Sequence, residues 1–375
     1  MNLLIPNLGS TSLKYQILEM PSENMLARGK LERVTDYGGA IRSIAMEGTR
    51  IDAIVLKAVH GGPEYRRTCL VDNNVVEALR RYLPAAPAHN AIYLAAIESF
   101  QAAMPDVPIV AAFEPEFHAT MPDHVRLYGV PGEWLAEGVA RYGFHGASHQ
   151  YISERAAEML GGPERLVSCH LGGSSSMCAI DRGRSVDTTM GFSPQSGLEN
   201  ATRHGDLDVF AVLYMMERCG WTPAEVRSQL ARGGGLAGLS GVAGGDLRDI
   251  EAAAEAGSEK ARAALAVFAY QVKKTIGAYA AAMGGLEAVA FTGGIGENSA
   301  RLRAACLEGL EFLDIVLDPA RNEQGRGDRL VSADESRVKV LALSTNEELV
   351  VARRAWKVLQ GAEKLRSLGA GGQSS

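Results

Sequence analysis

The chain has 375 residues, of which 46% are hydrophobic and 22% charged, and a formal net charge of -6. That length leaves room for two or three domains, and the composition is that of a soluble globular protein. The negative balance argues against nucleic acid and anionic membrane as partners, because either calls for a basic face.

In chain order, Met1-Asn2-Leu3-Leu4-Ile5-Pro6 has no basic region and too short an apolar run for a signal peptide. Leu3 to Ile5 reads as a strand, followed by the polar turn Asn7-Leu8-Gly9-Ser10-Thr11-Ser12 and a second strand to about Leu18. Ile54 to Val59 and Ile109 to Phe113 read as strands. Near residue 170 the opening grammar returns: a strand (Leu166 to Cys169), His170-Leu171-Gly172-Gly173-Ser174-Ser175-Ser176, and a strand from Met177 to Ile180. This is either an internal duplication or two unrelated hairpins with Gly/Ser turns. A helix is expected from Leu207 to about Arg218 with Asp206 as N-cap, then a Gly-rich loop from Gly233 to Gly245. A long Ala-rich helix from about Ser258 to Met283 stops at Gly284-Gly285. Its two central lysines, Lys273 and Lys274, rule it out as a membrane span. Strand Ala288 to Thr292 leads into Gly293-Gly294-Ile295-Gly296, strand Val338 to Leu343 follows, and a last helix runs from about Asn346 to Leu359. The tail Gly369 to Ser375 is expected to be disordered. Five scattered cysteines (Cys69, Cys169, Cys178, Cys219, Cys306) form no CxxC pair, which fits a reducing cytoplasm better than a disulfide frame or a zinc site.

Gly/Ser turns at strand ends can aim several N–H groups at one phosphate. Three such turns occur, at Gly9, Gly172 and Gly293, while the Walker A and protein-kinase patterns are absent. Isolated polar residues (His60, His89, His118, His145, His149, His170, Arg203, Glu347) accompany them, and cations near phosphate loops suit phosphoryl transfer. For any single histidine a structural hydrogen bond is the competing role.

Eight collinear segments carry a resemblance: Asn7 to Tyr15, Phe117 to Pro122, Tyr142 to His149, His170-Leu171-Gly172, Ser185 to Phe192, Thr202 to Asp206, Phe291 to Asn298, and Thr345 to Glu348. Together they resemble the acetate kinase family over nearly the whole chain. The resemblance implies an α/β fold of two duplicated actin-like (ribonuclease H-like) domains with a nucleotide cleft between them. The first domain would comprise 1–117 plus about 349–375, the second 118–348. It also implies ATP/ADP and Mg²⁺ as cofactors, with Mn²⁺ as the alternative metal, a short-chain carboxylate and its acyl phosphate as substrate and product, and a homodimer. No nucleic-acid or membrane partner is expected, and the location is cytoplasmic.

Matched residue by residue, His145 and Arg203 would act on the transferring phosphoryl group, with Glu114 at the family's catalytic carboxylate position. Arg203 could instead pair with Asp206 or Asp208. Glu347 and Asn7 would serve the metal, although Ser344-x-x-Glu347 and Thr345-x-x-Glu348 also read as capping boxes and Asn7 as a turn residue. Lys57, Val59, Ala88, His89, Phe144 and Pro194 would bind the acid. Ser12, Lys14, His170, Gly172, Gly173, Asp246, Arg248, Gly293, Gly294, Ile295 and Asn298 would hold the nucleotide; a surface salt bridge is the competing reading for Asp246 and Arg248. Three positions depart from the family: Lys57 stands for arginine and loses its bidentate fork, Glu114 for aspartate, and Gly173 for asparagine. Ala88 stands where the family has a larger aliphatic residue, which should enlarge the acyl pocket toward propionate or butyrate. These departures leave open two further readings, a kinase for a longer acid and a nucleotide-binding regulator of the same fold.

Overall fold

The computed structural model describes residues 1–375 apart from 9–11, 35, 46–47, 163 and 371–375, and without the side chains of 45, 87–88 and 365–370. Gly9, Ser10 and Thr11 of the first glycine turn, the side chain of Ala88 and the end of the Gly-rich tail therefore lie outside the described residues. The chain divides into two compact units, Met1–Ala119 with Asn346–Ser375, and Thr120–Thr345.

The first unit holds a six-stranded sheet: β1 (Asn2–Leu8), β2 (Ser12–Glu19), β3 (Asn24–Glu32), β4 (Ala53–Ala58), β5 (Cys69–Leu70) and β6 (Ile109–Phe113), in the order 3-2-1-4-6-5. β1 to β3 form an antiparallel meander, β1, β4 and β6 run parallel, and β5 closes the edge antiparallel. Every residue of β4 and β6 is buried, as expected of parallel strands covered on both faces. The core gathers Leu4, Ile17, Ile54, Leu56, Phe100 and Phe113. The last helix, Glu347–Ala370, packs on β4, β5 and β6 through the Val350, Val351 and Ala355 side of its surface, all buried. It runs past the expected end at Leu359, because a single Gly361 is followed by good helix formers.

The second unit repeats the topology with β7 (Arg165–His170), β8 (Ser176–Asp181), β9 (Arg184–Thr188), β10 (Ala288–Thr292), β11 (Arg329–Leu330) and β12 (Lys339–Ala342), in the order 9-8-7-10-12-11. Subtracting six from each label gives the order of the first sheet. The two Gly/Ser hairpins thus open two copies of one topology. The helix Glu259–Met283 is capped by the Ser258 side chain and ended by Gly284 at φ 67°. It supplies Phe268, Val272 and Ile276 to a core with Val167, Val289, Phe291 and Val340.

Two sequence expectations change here. Asp206 does not cap the following helix: its Oδ1 accepts from Gly197 N at 2.8 Å, and Asp208 caps Val209–Cys219 instead. Gly233 to Gly245 is not one loop but a short helix, Gly235–Ser240, and a tight turn, Ala243–Gly245. Its glycines serve close approach. A Cβ on Gly235 would lie 2.2 Å from the Asn200 carbonyl oxygen, and one on Gly245 2.0 Å from that of Ala201.

Candidate functional site

In the first unit the candidate residues collect at the carboxyl ends of the parallel strands, where α/β sheets commonly place ligands. Lys57 lies on β4 and Glu114 directly follows β6. The buried Lys57 Nζ is 3.1 Å from Glu347 Oε2 and 3.7 Å from Glu348 Oε1. Burial alone would pull the Lys57 pKa down, but Glu347, Glu348 and Glu114 outweigh it and the pKa stands above the ordinary lysine range. Glu347 reaches Lys57 because neither expected capping box forms. Asn346 caps the helix by accepting from Leu349 N at 3.2 Å, while Ser344 Oγ donates to Glu297 Oε2 at 2.9 Å. Asn7 and Lys14 are direct cross-strand partners on β1 and β2. With Tyr15, Arg28, Lys30 and Glu348 they line a pocket of about 400 Å³. Ser12 is half-buried at the start of β2, Val59 is buried just after β4, and His89 lies in the first turn of the helix Pro87–Ala103. Two neighbours escaped the sequence reading. Glu348 is the second carboxylate on Lys57. Tyr93 lies one helical turn beyond His89, and burial pushes its hydroxyl up to about 12 against the pull of Lys57. The i, i+4 spacing from His89 was the available signal.

In the second unit the two described glycine turns meet. β7 and β10 are parallel neighbours with His170 opposite Thr292. The Leu171 carbonyl, between His170 and Gly172, accepts from Ile295 N at 2.9 Å and Gly296 N at 3.1 Å. The expected turn at Gly293 is in fact the first residue of a short helix, Gly293–Asn298, which Asn298 closes by donating to the Gly294 carbonyl at 2.9 Å. Gly172, Gly173, Gly294, Ile295, Asn298, Asp246 and Arg248 line one pocket of about 660 Å³. The salt bridge expected of Asp246 and Arg248 forms: Arg248 Nη2 lies 2.6 Å from Asp246 Oδ2, and hydrogen bonds from the Arg248 side chain and backbone hold that carboxyl down at about 2. Both residues also line the pocket. Gly293, at φ 77°, is required twice over, since a Cβ there would also lie 2.6 Å from the Leu171 carbonyl oxygen, whereas one on Gly294 meets nothing within 4 Å. Gly293→Ala should therefore lose about 2 kcal/mol of stability, while Gly294→Ala leaves stability within about 0.5 kcal/mol. Urea titration checks both; equal effects of the two substitutions would refute the steric requirement at Gly293.

Arg203 Nη1 donates to Ser174 Oγ at 2.9 Å and to the Pro194 carbonyl at 3.3 Å, and burial lowers its pKa. Asp206 accepts from Gly197 N, and Asp208 caps the following helix. His145 is the N-cap of the helix Gly146–Leu160 in the left-handed region, at φ 55°, a conformation that costs a non-glycine residue about 1–2 kcal/mol. Such local strain is commonly found where function fixes a side chain. Its ring stacks on His170 with centroids 4.3 Å apart, and Phe144 beside it is buried. Ser176, Ser168 and Ser148 hold the imidazoles of His145, His149 and His170. Among these, the sequence had marked the histidines but none of the serines, because a serine in a strand carries no local sign of its cross-element partner.

The family model for the acetokinase family matches residues 39–353. An acetate kinase from Geobacillus kaustophilus is 41% identical over 383 residues, covering 92% of this chain and 96% of the relative. One from Caldanaerobacter subterraneus is 40% identical, covering 96% and 100%. Among solved structures, the acetate kinase of Porphyromonas gingivalis superposes with a TM-score of 0.85 at 34% identity over 96% of this chain and 99% of that one. A propionate kinase from Francisella tularensis gives 0.87 at 29% over 94% and 98%. With the family model spanning residues 39–353 and both acetate kinases covering more than nine-tenths of it, the chain belongs to the acetokinase family.

Proposed function

We propose that this chain transfers the γ-phosphoryl group of ATP to acetate or propionate, giving ADP and the acyl phosphate. The observation that carries it is the pair of glycine turns at the ends of β7 and β10, opening on a pocket with room for a nucleoside. That room favours ATP over pyrophosphate as phosphate donor. The relatives named as acetate kinases and the structural neighbour named as a propionate kinase supply the acceptor class.

The acceptor is already a nucleophile, because a free carboxyl group with a pKa of about 4 is ionised at neutral pH. One of its oxygens forms a bond to the γ-phosphorus as the bond to the bridging oxygen of ADP breaks. The electron pair leaves on ADP, and no proton has to move. What the protein must supply is positive charge and position. Arg203 and His145 would donate to the phosphoryl oxygens, His170 and the backbone at Gly172, Gly173, Gly293 and Gly294 to the phosphate chain, and Ile295, Asn298, Asp246 and Arg248 would flank adenosine. Lys57 would hold the substrate carboxylate as a point charge, with Val59, His89, Phe144 and Pro194 around the acyl group.

Glu347 and Asn7 fit a divalent cation, which we assign as Mg²⁺ with Mn²⁺ as the alternative. Both offer hard oxygen donors, and Glu347 lies in the carboxylate group around Lys57. Among the described residues no three His, Cys, Asp or Glu side chains cluster to hold an ion alone, so nucleotide oxygens and water would complete the shell. Bound there, the ion would neutralise charge on the nucleotide phosphates.

Incubation with Mg-ATP, hydroxylamine and acetate, propionate or butyrate tests the proposal. Hydroxamate with acetate or propionate is the expected result; ADP release without hydroxamate, or nucleotide binding without turnover, would refute it.

We also assign a homodimer and a cytoplasmic location. The five free thiols suit a reducing compartment. For the dimer, the helix Val209–Cys219 buries none of its residues, and Val209, Phe210 and Tyr214 are 62%, 73% and 59% exposed. An apolar helix left bare in one chain marks an association surface. Phe210→Asp combined with Leu213→Asp should halve the mass measured by light scattering. An unchanged mass would remove this helix from the interface.

A further inference from the structure

His145, the N-cap of the helix Gly146–Leu160, stands one turn before His149 and is joined to it by the first helical hydrogen bond, His149 N to His145 O at 3.0 Å. The β7–β8 hairpin presents Ser168, His170 and Ser176 on one face. Residues two apart on a strand point the same way, and Ser176 is the cross-strand partner of His170. Ser176 Oγ lies 2.9 Å from His145 Nδ1 and 2.8 Å from His149 Nε2, and Ser168 Oγ lies 2.9 Å from His149 Nδ1. Ser168, His149 and Ser176 are fully buried.

Hydrogen-bond bookkeeping admits several polarities for this chain, of which one uses both serine protons on the imidazoles. A hydroxyl has one proton to donate, and a neutral imidazole has one N–H and one acceptor nitrogen. If Ser168 donates to His149 Nδ1, then His149 Nε2–H donates to Ser176, Ser176 donates to His145 Nδ1, and the N–H of His145 is at Nε2. The reverse polarity satisfies the same buried atoms but leaves a lone pair at Nε2, which cannot donate to a phosphoryl oxygen.

We propose that Ser168, His149 and Ser176 form a hydrogen-bond relay that fixes His145 as its neutral Nε2–H tautomer, so that it can donate to the transferring phosphoryl group without being charged. The proposal rests on the phosphoryl role assigned to His145. The three residues are positioning residues, and no proton passes along them. The titratable groups among the described contacts of His145 are His149 on its own helix and His170 on β7.

The test is Ser176→Ala in the full-length protein, with Ser176→Thr as the conservative variant and Ser168→Ala at the far end. Without the Ser176 proton, neutral His145 is free to carry its N–H at Nδ1. The expected result is a kcat about 10–30-fold below the parent at pH 8, with KM for both substrates within about threefold, as for loss of one positioned donor. The deficit should shrink to about threefold near pH 5.5, below the ordinary imidazole pKa of about 6.5, because imidazolium carries protons on both nitrogens. Ser176→Thr should restore most of the rate, and Ser168→Ala should show the same pH pattern at smaller amplitude. Long-range ¹⁵N histidine spectra of the parent at pH 8, assigned with His145→Asn, should show Nε2 protonated and Nδ1 bare, with the proton moving to Nδ1 in Ser176→Ala. A deficit equal at all pH values, or a parent spectrum with Nδ1 protonated, overturns the relay. A tautomer that moves as expected while kcat does not would uphold the relay and refute the phosphoryl role of His145.

Discussion

Arg203→Ala is expected to lower kcat about 10³-fold while KM for ATP and for the acid moves less than about threefold. The magnitude follows from losing a preorganised cation aimed at developing phosphoryl charge, an effect of about 10²–10³ for one oxyanion donor and more for arginines in phosphoryl transfer. The same substitution should leave stability unchanged or slightly raised. Burial lowers the Arg203 pKa, so its charge is costly where it stands, and replacing such a charge at a position kept for activity commonly stabilises. Arg203→Lys keeps the charge and loses the planar fork, so its rate should fall between the two. Steady-state kinetics and a urea titration settle the matter together. A structural ion-pair role predicts the opposite pattern, a loss of stability with kcat nearly intact.

Lys57→Met should destabilise the protein by about 3 kcal/mol at pH 7, because breaking a buried ion pair by removing one partner is strongly destabilising. Glu347 and Glu348 then face Glu114 with their side chains only 16% and 20% exposed and no ammonium among them. The pH dependence follows from the signs of the shifts. In the parent, the folded pKa of Lys57 is raised, so its stabilisation is complete below the unfolded lysine value of about 10.4 and is lost only as pH climbs through the folded one. Between pH 5 and 9 the parent should show no slope from Lys57. In the variant Glu347, Glu348 and Glu114 repel one another without that cation, a repulsion that acid relieves. The deficit should therefore narrow as pH falls. Urea titrations of both proteins at pH 5, 7 and 9 measure this, and a deficit below about 1 kcal/mol at pH 7, or one that widens on acidification, would count against the cluster. Lys57→Arg, which restores the fork of the family's usual residue, should lower KM for the acid without changing this pH pattern.

Much of the fold was legible in the sequence wherever a few neighbouring residues decide the outcome. Ser258 and Gly284 bracket their helix as expected, and the apolar runs at 54–59, 109–113 and 288–292 are buried parallel strands. The second glycine turn was visible because glycine after an apolar run is a local signal, the third expected turn proved to be a short helix, and the collinear motifs pointed to the family. Where several local signals competed, tertiary contacts chose. Asp206 lost the cap to Asp208 because Gly197 N claims it. Ser344 was drawn away by Glu297, so Asn346 took the cap and Glu347 turned to Lys57. That β7 and β10 are neighbours, that the Gly172 and Gly293 turns share the Leu171 carbonyl, and that Ser176 joins His145 to His149 are consequences of sheet order. Caps, turns and periodicity are set within about one helical turn of chain. Strand order, and which side chain meets which across it, depends on closing loops of many tens of residues, and no single segment of the sequence carries that information.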